Sequence, residues 1–208
     1  DGSTALGNDG IGGVEIGFAS STTLGGASTA YRNYISANRL GVTVTGNAAT
    51  GTVIRNNYFG LTATGAGGVA NTTHAIKLYT TGSSNSVQVR DNVLAGGPNT
   101  GHGVLISNAV TPAQCIAHNI SDNLLGTNPA RNANLGFGLD GIHLQGVKCV
   151  SLTGNTVYNS REDGIDVSGN SDVYAQRVDS AGNLPSDTAP PNVTLTSTTT
   201  SPTNASPI

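Results

Sequence analysis

Along the chain, apolar positions alternate with polar ones over short stretches, and one such stretch keeps returning. Gly13-Val14-Glu15-Ile16 is followed by Gly41-Val42-Thr43-Val44, Ala75-Ile76-Lys77-Leu78, Gly103-Val104-Leu105-Ile106, Gly141-Ile142-His143-Leu144 and Gly164-Ile165-Asp166-Val167. Each copy reads small, apolar, variable, apolar. A period of two predicts a strand with one face buried. The copies start at residues 13, 41, 75, 103, 141 and 164, so the intervals run from 23 to 38. That spacing points to a repeat architecture, in which each unit buries its apolar face against its neighbours.

A second phrase runs in step with the first. Ile54-Arg55-Asn56-Asn57-Tyr58-Phe59 returns as Val89-Arg90-Asp91-Asn92-Val93-Leu94, Ile120-Ser121-Asp122-Asn123-Leu124-Leu125 and Leu152-Thr153-Gly154-Asn155-Thr156-Val157. Relative to the asparagine, an aliphatic residue always stands three before and an apolar residue two after. Such columns predict a chain that coils so that strands lie over strands, about 4.8 Å apart. The asparagine column, Asn57, Asn92, Asn123 and Asn155, then has a physical purpose. Each amide carries donors and acceptors, so a stack can hydrogen-bond along the axis and satisfy a buried bend.

This pattern resembles the right-handed parallel β-helix repeat proteins, in particular the glycine- and asparagine-rich repeats of large bacterial surface proteins of the adhesin type. Arg32-Asn33-Tyr34-Ile35-Ser36-Ala37-Asn38 and Phe59-Gly60-Leu61-Thr62-Ala63-Thr64-Gly65 look like that family's wording. The resemblance covers roughly residues 1 to 175. It implies an all-β solenoid of about five to six coils, some 25–30 Å long at the strand spacing. It says little of function, because the same coil carries lyases, hydrolases, epimerases, adhesins and spacers.

Composition narrows the class further. Charged residues make up 10% and aromatics 4%, with 29 glycines and no tryptophan or methionine. A net charge of -3 gives no basic surface for nucleic acid and no polybasic run for lipid headgroups. No apolar run approaches membrane-spanning length. Asp1 to Gly10 match the end of a turn such as Ala63 to Asn71, which suggests a mature or excised piece of something longer.

The pattern divides the chain into a coil over residues 1–183 and an extended Thr/Ser/Pro-rich tail over 184–208. The tail resembles the linker and first strand that open bacterial immunoglobulin-like repeats. Its alternating stretch Asn192-Val193-Thr194-Leu195 lacks a domain of its own. A lone strand of that kind does not fold alone.

Candidate chemistry is sparse. Cys115 and Cys149 precede Asn123 and Asn155 by eight and six residues. In perfect register they are diagonal neighbours, too far apart to bridge. A two-residue bulge near His118-Asn119 would stack them within disulfide range. Both states stay open at this point. Asp140-Gly141-Ile142-His143 and Asp163-Gly164-Ile165-Asp166 should stack directly, which groups Asp140, His143, Glu162, Asp163 and Asp166. Such a group could be an acid/base or divalent-metal site. The plainer reading is turn chemistry, since aspartate before glycine is ordinary there. Gly101-His102-Gly103 matches a tripeptide of polygalacturonase-type glycosidases, but their paired-aspartate motifs and Arg-Ile-Lys are missing. That tripeptide is read as a turn.

The expectation is therefore a non-enzymatic structural or adhesive protein at the cell surface or outside the cell. It needs no cofactor and no metal. Its partners are further copies of itself, stacked head to tail into a filament, or the rest of a larger surface protein, with glycans as a further partner. The alternative is a carbohydrate-active module of the same fold, such as a lyase, glycosidase or glycan-binding domain.

Overall fold

The computed structural model describes residues 4, 7–8, 12–46, 50–80, 86–108, 115, 117–169, 171 and 173–175. The chain runs as a coil with three strands per turn. The first turn holds β1 (Gly12–Gly17), β2 (Thr23–Gly25) and β3 (Tyr34–Ile35). Next come β4 (Leu40–Gly46), β5 (Thr52–Arg55) and β6 (Tyr58–Phe59), then β7 (His74–Thr80), β8 (Val87–Arg90) and β9 (Val93–Leu94). The later turns hold β10 (Val104–Ser107), β11 (Asn119–Ser121), β12 (Leu124–Leu125), β13 (Ile142–Gln145), β14 (Val150–Thr153), β15 (Thr156–Val157), β16 (Ile165–Ser168) and β17 (Val173–Ala175).

Every strand pairs in parallel with its counterpart one turn away. Three sheets result: β1-β4-β7-β10-β13-β16, β2-β5-β8-β11-β14-β17 and β3-β6-β9-β12-β15. The fold is thus an all-β parallel solenoid. About four turns are enclosed on both sides, slightly fewer than the five to six coils expected; the end turns add the edge strands. Among the described residues the only helical piece is a single 3-10 turn at Thr29–Tyr31, and no helix is long and apolar enough to cross a membrane. The tail from Leu184, with its expected strand near Val193, lies outside the described residues.

The columns read from the sequence are the registers of these sheets. Val42, Ile76, Val104 and Ile142 stack in the first sheet, as do Val44, Leu78, Ile106 and Leu144. All eight are fully buried. Ile54, Val89, Ile120 and Leu152 stack in the second sheet, and Phe59, Leu94 and Leu125 in the third. The small residue that opens the first phrase has a packing reason. A side chain on Gly41 would meet Phe59 and the Ala75 carbonyl, and one on Gly141 would meet Val157. The bend between the second and third sheets needs a left-handed residue. Asn56, Asp91, Asp122 and Gly154 supply it with φ of 56, 57, 55 and 64°, conformations that asparagine, aspartate and glycine tolerate best.

Just after that bend runs the asparagine ladder. Asn57 Nδ2 donates to Asn92 Oδ1 at 3.2 Å, Asn92 Nδ2 to Asn123 Oδ1 at 3.0 Å and Asn123 Nδ2 to Asn155 Oδ1 at 2.9 Å. Each Oδ1 also accepts the backbone N–H of the preceding asparagine. The ladder begins one turn earlier than expected, at Asn33. A second ladder, Asn8-Asn38-Asn71, follows the third sheet.

Cys115 and Cys149 are joined, with their Cα atoms 5.0 Å apart. The geometry differs from the two-residue bulge expected. Asn119 pairs with Ser151, whereas Cys115 lies opposite Lys148, so the register slips by one residue. The left-handed turn at Cys149, φ 61°, supplies the rest. Beside the bridge, His118 occupies the core, 1% exposed, and its Nδ1 accepts the Val87 N–H at 3.1 Å.

Candidate functional site

Two columns of side chains run along the edge where the coil enters the first sheet. Counting from the paired residues Ile76, Val104, Ile142 and Ile165, the position two before holds His74, His102, Asp140 and Asp163. The position one after holds Lys77, Leu105, His143 and Asp166. Asp140-Gly141 precedes β13, where strand alternation no longer applies, and Asp140 turns toward His143.

The first column is a ladder that satisfies backbone donors. His74 Nδ1 accepts the His102 N–H at 3.0 Å, His102 Nδ1 accepts the Asp140 N–H at 3.2 Å, and Asp140 Oδ1 accepts the Asp163 N–H at 2.9 Å. Its polarity is opposite to that of the asparagine ladders, since here the acceptor sits in the earlier turn. The imidazoles also stack: His74 on His102 with centroids 5.3 Å apart, and His102 on His143 at 4.5 Å.

The two columns meet at Asp140, which is 4% exposed. Its Oδ2 lies 3.1 Å from His102 Nδ1 and 3.0 Å from His143 Nδ1. His143 Nδ1 lies in turn 2.8 Å from Asp166 Oδ2. Burial, followed by the neighbouring His102 and Lys77 charges, pushes His74 down to about 4. Burial and the neighbouring His143 lower His102, against the pull of Asp140 and Asp166. Both rings are therefore neutral near pH 7, as their acceptor roles require.

Of the five residues grouped from the sequence, Asp140, His143 and Asp166 meet through their side chains. Asp163 joins through its backbone N–H alone. Glu162 is exposed, and no hydrogen bond or ion pair described for this cluster involves it. His102 was missed as a member. Its tripeptide is not a mere turn, because its ring lies between His74 and His143 and against Asp140. The signal was present, since His102 stands two residues before Val104 as Asp140 does before Ile142.

On the outer face of the first sheet, in the earlier turns, a shallow groove of about 240 Å³ is lined by Glu15, Thr43, Thr45, Lys77 and Tyr79 together with Gly12 and Leu40. Glu15, Thr43 and Lys77 belong to the same column as His143 and Asp166. The groove and the His/Asp cluster thus share one face of a parallel β-solenoid, and that is the class the fold defines. No protein-family model matches the chain, and no curated protein and no solved structure matches it significantly.

Proposed function

We propose that this chain is a non-enzymatic structural or adhesive solenoid that acts outside the cell and associates end to end with copies of itself. The observation that carries the reading is the last described turn. Ile165 and Val167 continue the columns of Ile142 and Leu144. Their neighbours are fully buried, yet both are 43% exposed. A further coil would cover them. The first turn carries Val14 and Ile16 in those same two columns, with Ile16 already 5% exposed, so a second copy stacked on the last described turn would continue the columns in register. A head-to-tail contact of this kind does not close and builds a filament. The Cys115–Cys149 bridge supports an oxidising compartment outside the cytosol.

Sedimentation velocity over a range of concentrations tests the proposal. The wild-type chain should form larger species as concentration rises, and Val167→Asp should weaken that association. Deletion of residues 188–208 should weaken it too if the tail adds a strand to the neighbour. A wild-type chain that stays monomeric at high concentration refutes the reading.

The groove and the histidine–aspartate cluster favour a second reading, a carbohydrate-active module. Tyr79 offers a ring, and Glu15 and Lys77 offer polar contacts, on the face that carries the cluster. Incubation with uronic-acid oligosaccharides decides between the two. Cleavage that is lost in Asp166→Asn supports the module; no turnover supports the structural reading.

A further inference from the structure

The hydrogen-bond accounting at Asp140 leaves more acceptors than donors. Asp140 Oδ1 is occupied by the Asp163 N–H, which leaves Oδ2. That oxygen faces Nδ1 of both His102 and His143. His102 Nδ1 cannot donate to it, because it already accepts the Asp140 N–H. His143 Nδ1 carries at most one proton, yet it faces both Asp140 Oδ2 and Asp166 Oδ2. Two carboxylate oxygens therefore share a single N–H, and the His102 nitrogen beside Asp140 Oδ2 is itself an acceptor. Among the described residues, the ion pairs of Asp140 are with imidazoles alone, although a carboxylate this buried needs a compensating positive charge.

We propose that His102, Asp140, His143 and Asp166 bind one divalent transition metal of the zinc class. His102, Asp140 and His143 each offer a ligand atom, and the three atoms lie within 4.8 Å of one another. To ligate, His102 Nδ1 releases the Asp140 N–H that it accepts, and Asp166 Oδ2, 2.8 Å from His143 Nδ1 but outside that group of three, moves in as the fourth. Zinc holds nitrogen and oxygen ligands at about 2.0–2.2 Å, so tetrahedral ligands stand roughly 3.3 Å apart. Three of the six spacings, 2.8 to 3.1 Å, need to open by a few tenths of an ångström, and the Asp166 carboxylate must swing toward His102 and Asp140 to complete the set. Two imidazoles with two carboxylates suit zinc, cobalt or nickel. Calcium and magnesium prefer all-oxygen sets. Four protein ligands leave no open position, so the site is structural. The ligands come from β10, β13 and β16 and the residues just before them, so one ion ties together the last three turns of the first sheet. That is the last described turn, where Ile165 and Val167 are each 43% exposed.

The test uses the full, tag-free chain stripped with a chelator. Titration with Zn²⁺ should show one equivalent bound, and Co²⁺ should give the visible absorption bands of a four-coordinate ion. Zinc should also raise the melting temperature, and a chelator should reverse the rise, because a ligand that binds only the folded state stabilises it. His143→Gln and Asp166→Asn lie on the partly exposed outer face and leave the backbone ladder of His102 and Asp140 intact. Each should weaken zinc about tenfold or more and abolish the zinc-dependent rise, while the melting temperature without metal stays near wild type. Glu162→Gln, exposed and outside the cluster, should bind as wild type does. The proposal is overturned if wild type binds no stoichiometric zinc, if His143→Gln/Asp166→Asn binds it equally well, or if calcium binds in its place.

Discussion

Asn92 lies in the middle of the asparagine ladder, and its truncation measures what that ladder contributes. Its Oδ1 accepts the Asn57 N–H at 2.9 Å and Asn57 Nδ2 at 3.2 Å. Its Nδ2 donates to the carbonyls of Ile54 and Arg90, both at 2.9 Å, and to Asn123 Oδ1 at 3.0 Å. In Asn92→Ala the Asn57 side chain keeps the Leu24 carbonyl, and Asn123 Oδ1 keeps the Asn92 N–H. The Asn57 N–H loses its acceptor in a site where Asn57 is fully buried, and the Ile54 carbonyl loses its side-chain donor. A buried polar group left unsatisfied costs about 1–3 kcal/mol. The orphaned Asn57 N–H, with about 1 kcal/mol for the lost bond to the Ile54 carbonyl, makes Asn92→Ala destabilising by roughly 2–4 kcal/mol.

Asn155→Ala removes the same type of group near the end of the ladder, where Asn155 is only partly buried. Water can replace the lost partners there, so the cost should be about 1–2 kcal/mol. Asn92→Asp keeps the shape but replaces the donor with an acceptor facing three acceptors. It should be at least as harmful as the alanine. Urea unfolding followed by far-ultraviolet circular dichroism gives the three values, with the midpoint and slope fitted separately because repeat arrays can lose cooperativity. The reasoning fails if Asn92→Ala and Asn155→Ala cost the same, or if Asn92→Asp is tolerated.

Val89→Asp should prevent folding or cost several kcal/mol, since Val89 is fully buried between Ile54 and Ile120 and the new carboxylate has no partner; a cooperative melt near the wild-type temperature would contradict this. Reduction of the Cys115–Cys149 bridge, which spans a sequence separation of 34, should lower stability by about 3–4 kcal/mol on loop-entropy grounds, read as a shift in the urea midpoint with and without reductant. Burial pushes His118 down to about 4, so it folds neutral, and its contribution is complete above the ordinary histidine value near 6.5. Stability should therefore fall as pH drops from about 6.5 toward 4, by up to roughly 3 kcal/mol. A urea midpoint that stays constant over that range would refute the assignment.

The coil was legible because its columns keep constant offsets. Ile54, Val89, Ile120 and Leu152 stand three before an asparagine in every copy, so the alignment needs no knowledge of the loops between. The left-handed bend was written in the same phrase, as Asn56, Asp91, Asp122 and Gly154. The second ladder was not legible. Asn8, Asn38 and Asn71 precede their phrases by five, three and four residues, and a variable offset hides a column. The slip that joins Cys115 to Cys149 was hidden for a related reason, because one residue is gained between Cys115 and Asn119, outside the two repeated phrases. The site was half legible. Asp140, His143 and Asp166 follow from stacking the two phrases, whereas Glu162 falls one residue outside the column and faces solvent. His102 and His74 needed the same count carried back through earlier copies, and the turn reading of Gly101-His102-Gly103 obscured it.

Electron microscopy of the purified full-length chain at rising concentration tests the structural proposal most directly. End-to-end stacking of solenoids predicts unbranched filaments whose axial repeat equals the length of one subunit, about 25–30 Å at the strand spacing, and which shorten or vanish in Val167→Asp. Discrete single particles at every concentration, unchanged by that substitution, would contradict it.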